Sequence, residues 1–254
     1  FPNSLGIFYH AMTQFLGFEH YGSEYKVMGM AAYGSPIFFE KIKKCLFIDD
    51  GKEYFKLNLK YFNHQSSNFR YKAGENLEIG KIYNNNLNEL FKKDIAESEN
   101  YNIFCNNFAS SVQKIYEYYF NKNLKIVSKN DLSNNLVYAG GCALNSLANK
   151  KIYESNSFEN IFIPYAPGDG GGAIGAALIA SKKINQNIEL SNLQSPFIGP
   201  KFKNEEIKKI IENNEKLVNF NIEFKNNKTD LYSSLAKDLY ENKIVGFFNE
   251  RMEF

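Results

Sequence analysis

The sequence predicts an α/β fold, and three observations carry that prediction. "NLVYAGGCALNSLANKKIYES" reads as strand, glycine turn, helix, and "NIFIPYAPGDGGGAIGAALIASKKI" repeats the same order. Alternating strands and helices are the pattern of a sheet with helical crossovers. Ahead of both units lie long stretches of helical periodicity. After them come two amphipathic helical patterns and a short apolar run, "IVGFFN", that reads as a strand.

Taken in order, "SLGIFYHAMTQFLGF" places Leu5, Phe8, Met12, Phe15 and Leu16 on one helical face, with Ser4 as N-cap. "GSEYKVMGMAAYGSP" follows, punctuated by Gly22, Gly29, Gly34 and Pro36. Residues 37–46 read as a short amphipathic helix, and the alternation in residues 52–62, "KEYFKLNLKYF", reads as a strand. Residues 63–98 are Asn-rich and weakly patterned, which predicts a surface excursion with one short helix near "LNELFKK". Residues 101–128 carry the longest helical pattern, through Ile103, Phe104, Phe108, Val112, Ile115, Tyr116 and Tyr119. The two strand–turn–helix units come next. "SPFIGPKF" is then a loop, and "NEEIKKIIENNEKL" and "DLYSSLAKDLYENK" are amphipathic helices.

Composition narrows the function. The 254 residues hold 30 basic and 28 acidic side chains, a net charge of +2, and no run of five basic residues, which argues against a nucleic-acid partner. Pairs such as Lys43-Lys44 and Lys208-Lys209 read as solvated faces. No apolar run is long enough to cross a bilayer and no secretory signal is visible, so a cytoplasmic location is expected. Cys45, Cys105 and Cys142 are widely spaced with no CxxC, which suits reduced, buried thiols. The start at Phe1-Pro2 and the stop just after "IVGFFN" suggest a piece of a longer protein.

The chemistry concentrates in the glycine turns. "GDGGGAIG" contains a literal G-x-G-x-x-G at Gly170, Gly172 and Gly175. A dinucleotide fold needs an acid about 20 residues on, at the end of a second strand. Glu189 sits near that distance, but its "NIEL" is short and gives way to "SPFIGP", which counts against this reading. The other turn, "YAGGCALN", offers Gly140 and Gly141 with Asn145 on the following helix. Two such turns suit a nucleotide held between loops, because glycine lets backbone N–H groups approach phosphate; tight strand–helix packing is the alternative. Asp169 stands inside the second turn, where a bare carboxylate repels phosphate. It makes sense there if a cation lies between them, or if it only caps the helix that follows. His10, His20 and His64 lack any metal-binding spacing; His10 reads as a helix-surface or core-edge residue, and His20 and His64 as loop residues.

Six blocks in one order, "FPNSLGIFYHAMTQFLGF", "SEYKVMGMAAYG", "YAGGCALNSLANKKI", "IPYAPGDGGGAIGAAL", "SPFIGPKF" and "VGFFNERMEF", resemble the O-carbamoyltransferase family of nodulation-factor and antibiotic carbamoyltransferases. The resemblance runs over nearly the whole chain and is weakest at 63–98. It implies a large N-terminal domain of the actin-like, sugar-kinase ATPase (ribonuclease H-like) fold, truncated here at both ends, and a YrdC-like domain beyond it. It implies carbamoyl adenylate made from carbamoyl phosphate and ATP, and transfer of the carbamoyl group to an acceptor hydroxyl of a sugar or secondary metabolite. It places Gly140, Gly141, Asn145, Gly168, Gly170, Gly171 and Gly172 around the nucleotide, and makes Asp169 a ligand of a divalent metal, often iron. Ser4, Glu24 and Lys26 are candidates for acceptor or phosphate contact; no residue is assigned a catalytic role.

The departures are these. No histidine pair for the metal is present, the run Gly-Pro-Arg-Ala-Leu-Gly-Asn-Arg-Ser expected after "RMEF" is missing, and Glu250 stands where a glycine is usual. The fragment alone is therefore expected to be inactive. An ATPase or kinase of the same fold, or a non-catalytic nucleotide-binding subunit, are the competing readings. Homo-oligomerisation and the acceptor's identity stay open.

Overall fold

A computed structural model describes residues 1–48, 55–66, 69–70, 78–130, 133–155, 157–184, 195–225, 227–248 and 251–253. Glu189 and Glu250 lie outside these residues. The chain divides into two compact units, Phe1–Lys183 and Ile184–Phe254. Strands and helices mix in the first unit, as the α/β reading predicts.

Helix α1 (Leu5–Phe15) starts where Ser4 Oγ accepts the amide of Ile7 at 3.3 Å, the expected N-cap. Its apolar face is buried as the spacing predicts. Its polar residues are buried too: His10, Thr13 and Gln14 are each at most 5% exposed. His10 is therefore inside the protein and not at the helix surface, because further structure packs on what looked like the outer face. Helix α2 (Glu24–Ala31) and helix α3 (Phe39–Leu46) follow, and Val27, Ile42 and Leu46 are fully buried.

Strand β1 (Phe47–Ile48) pairs antiparallel with β2 (Lys56–Leu57), Phe47 opposite Leu57. The strand expected over 52–62 shrinks to these last two residues among those described, with 52–54 outside them. Alternation stops at Asn58, whose side chain accepts the Lys60 amide and opens a 3-10 turn, Leu59–Tyr61. Asparagine competes for backbone partners in this way.

Strands β3 (Phe69–Arg70) and β4 (Glu78–Ile79) pair antiparallel, and helix α4 spans Asn85–Glu97. The helix expected near "LNELFKK" forms as part of α4, but the described residues of this stretch are more than a surface excursion. His64, Ile82, Tyr83, Leu87 and Phe91 are all buried. The abundant asparagines satisfy backbone carbonyls, Asn63 that of Tyr83 at 3.2 Å and Asn84 that of Lys60 at 2.8 Å. The few apolar residues are thereby free to turn inward. His64 lies in a turn, as expected, but is buried there; its Nε2 lies 2.9 Å from the Pro2 carbonyl oxygen.

Helix α5 (Tyr101–Lys129) is the spine of the first unit. Asn100 caps it, and Phe104 and Phe108 meet Phe15, Phe38 and Phe91 in an aromatic cluster with centroids 4.9 to 6.4 Å apart. Such rings are the largest single contributors to a core of this kind. Ile103 departs from the expected stripe and is exposed.

Strands β5 (Asn135–Val137) and β6 (Asn160–Phe162) pair in parallel, with Leu136 opposite Ile161. Helix α6 (Ser146–Glu154) lies between them in sequence, and helix α7 (Gly171–Ile184) follows β6. This is the strand–turn–helix order read from the sequence. Leu136 and Ile161 pack on the core, while Val137 and Phe162 are exposed.

In the second unit, helices α8 (Asn204–Glu212) and α9 (Lys228–Tyr240) form where amphipathic helices were expected. Residues Lys201 and Arg251 make an isolated antiparallel bridge, and the amides of Gly199 and Met252 donate to Met252 and Pro200 carbonyls. The strand expected at "IVGFFN" does not form among the described residues, where no ladder partner meets it; Ile244, Phe247 and Phe248 are exposed. All three cysteines are free thiols, as their spacing predicts. Among the described residues no helix is long and apolar enough to cross a membrane.

Candidate functional site

The site is built where the first two glycine turns meet. After β5, the Tyr138 amide donates to the Phe162 carbonyl at 3.0 Å and prolongs the parallel pairing. Gly140 then takes φ +101°, a backbone conformation that glycine adopts without strain. Its amide donates to the Pro167 carbonyl at 2.7 Å and stitches the first turn to the second. Gly141–Leu144 coil into a 3-10 turn, and Asn145 caps α6 through its side-chain oxygen, 3.0 Å from the Ala148 amide.

Asn145 faces inward. Its amide pairs reciprocally with that of Gln113 at 3.0 and 3.1 Å. Gln113 also accepts the Tyr9 hydroxyl at 2.9 Å and donates to Glu117 Oε1 at 2.9 Å. Burial first, then the charges of Glu117 and Glu24, hold the Tyr9 phenol well above its ordinary range. The side chain of Asn145 is thus occupied by the protein itself, and its contribution to the turn is to pin it to α5.

The second turn closes on itself. Gly171 and Gly172 amides donate to the carbonyls of Gly168 and Asp169, both at 3.0 Å. A Cβ at Gly171 would stand 2.0 Å from the Ala166 carbonyl oxygen, so no side chain fits there. Gly170 is exposed, and its amide makes no backbone bond among the described residues. Asp169 is exposed, and its carboxylate lies beside the Tyr21 phenol, whose ionisation its charge opposes. Burial first, then the charges of Asp169 and Glu24, push the Tyr21 phenol up.

The corner between α1 and α2 supplies the facing groups. His10 Nδ1 lies 2.6 Å from Glu24 Oε1. Burial alone would raise the Glu24 carboxyl, but hydrogen bonds from His10 and from the backbone at Glu24 and Gly22, with the His10 charge, bring it below its ordinary value. The start of α1 abuts the first turn: a Cβ at Gly6 would meet Cys142 Sγ at 3.5 Å. Burial is the main reason the Cys142 thiol lies above its ordinary value.

The structure brings Asp169, the second-turn glycines, Gly140 and Gly141 together, and reaches Glu24 through Tyr21. Ser4 stays engaged as the α1 cap. Lys26 is not drawn to the turns; its ammonium lies 5.1 Å from the Phe18 ring centre and 6.0 Å from that of Tyr25. Among the described residues no three His, Cys, Asp or Glu side chains meet in a way that could hold a metal ion. Sequence reasoning missed Tyr21, His10 and Gln113. Tyr21 and His10 carry no motif, and Gln113 reads as one more polar residue on a long helix.

Residues 1–178 match the family model described as carbamoyltransferase N-terminus. The chain belongs to the carbamoyltransferase N-terminal family. The family match covers both glycine turns, Asp169 and the α1–α2 corner. Among the relatives, an uncharacterised Synechocystis protein, sll1178, is 32% identical over 265 residues, covering 100% of this chain and 40% of its own. An uncharacterised Methanocaldococcus jannaschii protein, MJ1051, is 30% identical across 99% of this chain and 44% of its own. The nodulation protein NolO of Bradyrhizobium diazoefficiens is 27% identical across 99% of this chain and 41% of its own. The chain thus spans about two fifths of the length of these relatives.

Proposed function

We propose that this chain is the actin-like lobe of an ATP-dependent O-carbamoyltransferase acting in the cytoplasm. Water cleaves carbamoyl phosphate to carbamate and inorganic phosphate, and a carbamate oxygen attacks the α-phosphorus of ATP, expelling pyrophosphate and giving carbamoyl adenylate. The acceptor hydroxyl oxygen then attacks the carbamoyl carbon, its proton is lost, and AMP leaves. The acceptor is a sugar or secondary-metabolite hydroxyl. The observation that carries this reading is the stitched pair of glycine turns with Asp169, Tyr21 and Glu24 beside them, all inside the region matched by the family.

The roles follow from the geometry. The exposed Gly170 amide is a donor for a phosphate oxygen, and the turn around it has no Cβ to block approach. Gly140, Gly171 and Gly172 spend their amides inside the protein, so they shape the turn and do not reach the ligand through N–H. Two carboxylates, Asp169 and Glu24, accept hydrogen bonds and suit a hydroxyl acceptor. A divalent metal, iron by the resemblance, would take Asp169 as one oxygen ligand. The described residues do not by themselves complete a metal site.

The test uses the full-length protein, wild type beside Asp169→Ala. Carbamoyl transfer from carbamoyl phosphate and ATP to a panel of hydroxyl acceptors is measured, with bound metal by elemental analysis. Transfer by the wild type and its loss in a folded Asp169→Ala protein is the expected result. Phosphoryl transfer or ATP hydrolysis with no carbamoylated product would overturn it in favour of a kinase or ATPase. Nucleotide binding without turnover would point to a non-catalytic subunit.

A further inference from the structure

We propose that His10 is a positioning residue that holds Glu24 in place for the acceptor hydroxyl. This rests on the transferase reading above and adds to it a residue that no motif marks.

The argument begins with the ring. The His10 side chain is 7% exposed and that of Glu24 is 33% exposed, so the pair runs from the interior to the surface. His10 Nδ1 meets Glu24 Oε1 at 2.6 Å, while Nε2 is buried without a hydrogen-bond partner. A proton on Nε2 would be a buried donor with nothing to receive it, which is costly. A proton on Nδ1 instead donates to the carboxylate and leaves Nε2 a bare acceptor. The geometry therefore selects the tautomer with hydrogen on Nδ1.

That tautomer gives Glu24 a fixed donor from behind. The backbone at Glu24 and Gly22 also favours the ionised form of the same carboxylate. Its outer part remains open to solvent, and its charge acts on the neighbouring Tyr21 phenol. The Tyr21 ring lies 6.1 Å from the His10 ring. The groups around His10 are thus Glu24 and Tyr21 from the α1–α2 corner, with Tyr9 beside it on α1. A carboxylate clamped from inside loses little further freedom when a hydroxyl docks on its outer side, and an unclamped one loses more.

The experiment uses full-length protein and three variants: His10→Asn, which keeps an N–H donor near the position of Nδ1, His10→Phe, which keeps bulk without it, and Glu24→Gln. Steady-state transfer is measured against acceptor concentration and, separately, against ATP and carbamoyl phosphate. Imidazole ¹⁵N spectra report the His10 tautomer with no need for activity. Expected are an Nδ1–H signature in the wild type, a fall in kcat/KM for the acceptor of about ten-fold or more in His10→Phe, unchanged KM for ATP and carbamoyl phosphate, and recovery of most of the loss in His10→Asn. An Nε2–H signature overturns the proposal. So does a loss shared equally by both His10 variants and all three substrates, which a purely structural role would give, or wild-type kinetics in both. If His10→Phe does not fold, His10→Asn and the spectra still decide. If the wild type transfers no carbamoyl group, the transferase reading fails, and the tautomer result stands apart from it.

Discussion

The phenol of Tyr21 lies close enough to the carboxylate of Asp169 for the acid's charge to hold the phenol up, which relates the α1–α2 corner to the second glycine turn. Tyr21 is 56% exposed, so this contact is screened by water and adds little to stability. Its consequence is geometric. Tyr21→Phe is expected to leave the melting temperature near that of the wild type and to lower carbamoyl transfer by the full-length protein about ten-fold, the range of one polar contact with a charged group. Calorimetry and a transfer assay on the same preparation check both halves.

The amide pair of Gln113 and Asn145 makes the opposite forecast. Both side chains are buried. Asn145→Ala removes the α6 cap and leaves the Gln113 amide short of a partner. A loss of about 2–4 kcal/mol in unfolding free energy is expected, read by urea denaturation. Asn145→Asp keeps the cap but offers no donor to Gln113, and an intermediate loss is expected.

Gly171 sets a steric limit. With a Cβ position 2.0 Å from the Ala166 carbonyl oxygen, Gly171→Ala has to open the turn. Destabilisation of about 1–3 kcal/mol is expected. Gly172→Ala, with nothing within 4 Å of its Cβ position, is expected to be tolerated. Comparing the two melting temperatures tests the turn geometry directly.

Glu24 gives a pH dependence. Its carboxyl is held below the ordinary value of 4.5 in the folded protein. A lowered carboxyl pKa stabilises the fold above the unfolded pKa, and that contribution fades as pH falls through the folded one. Wild type is therefore expected to exceed Glu24→Gln in melting temperature at neutral pH, with the gap narrowing once pH drops below about 4.5. A gap that is flat with pH would remove the charge from the explanation.

How much of this was legible follows from the type of signal. The α1 cap at Ser4, the long helix at 101–129 and the two strand–turn–helix units were plain, because periodicity and glycine turns are local properties. Residues 63–98 misled. Their many asparagines look like surface, yet they bond to backbone while Ile82, Leu87 and Phe91 go to the core. Of the site, Asp169 and its glycines stood out because a carboxylate in a glycine turn is chemically odd. Tyr21 and His10 did not, since their meaning comes from partners distant in sequence or on the neighbouring helix. Asn145 looked like a ligand residue by position, and only its partner Gln113 shows that its side chain is spent inside the fold.

That partnership also constrains how the sequence can drift. Tyr9, Gln113 and Asn145 sit on three separate stretches of chain, yet each supplies what the next lacks. Gln113→Leu alone strands the Tyr9 hydroxyl and the Asn145 amide in an apolar setting, whereas a joint change to apolar residues of matching volume removes these groups and leaves only the Ala148 amide without its cap. Substitutions here should therefore be tolerated in concert and rejected singly, and a double-mutant cycle at 113 and 145 would show a large, favourable coupling.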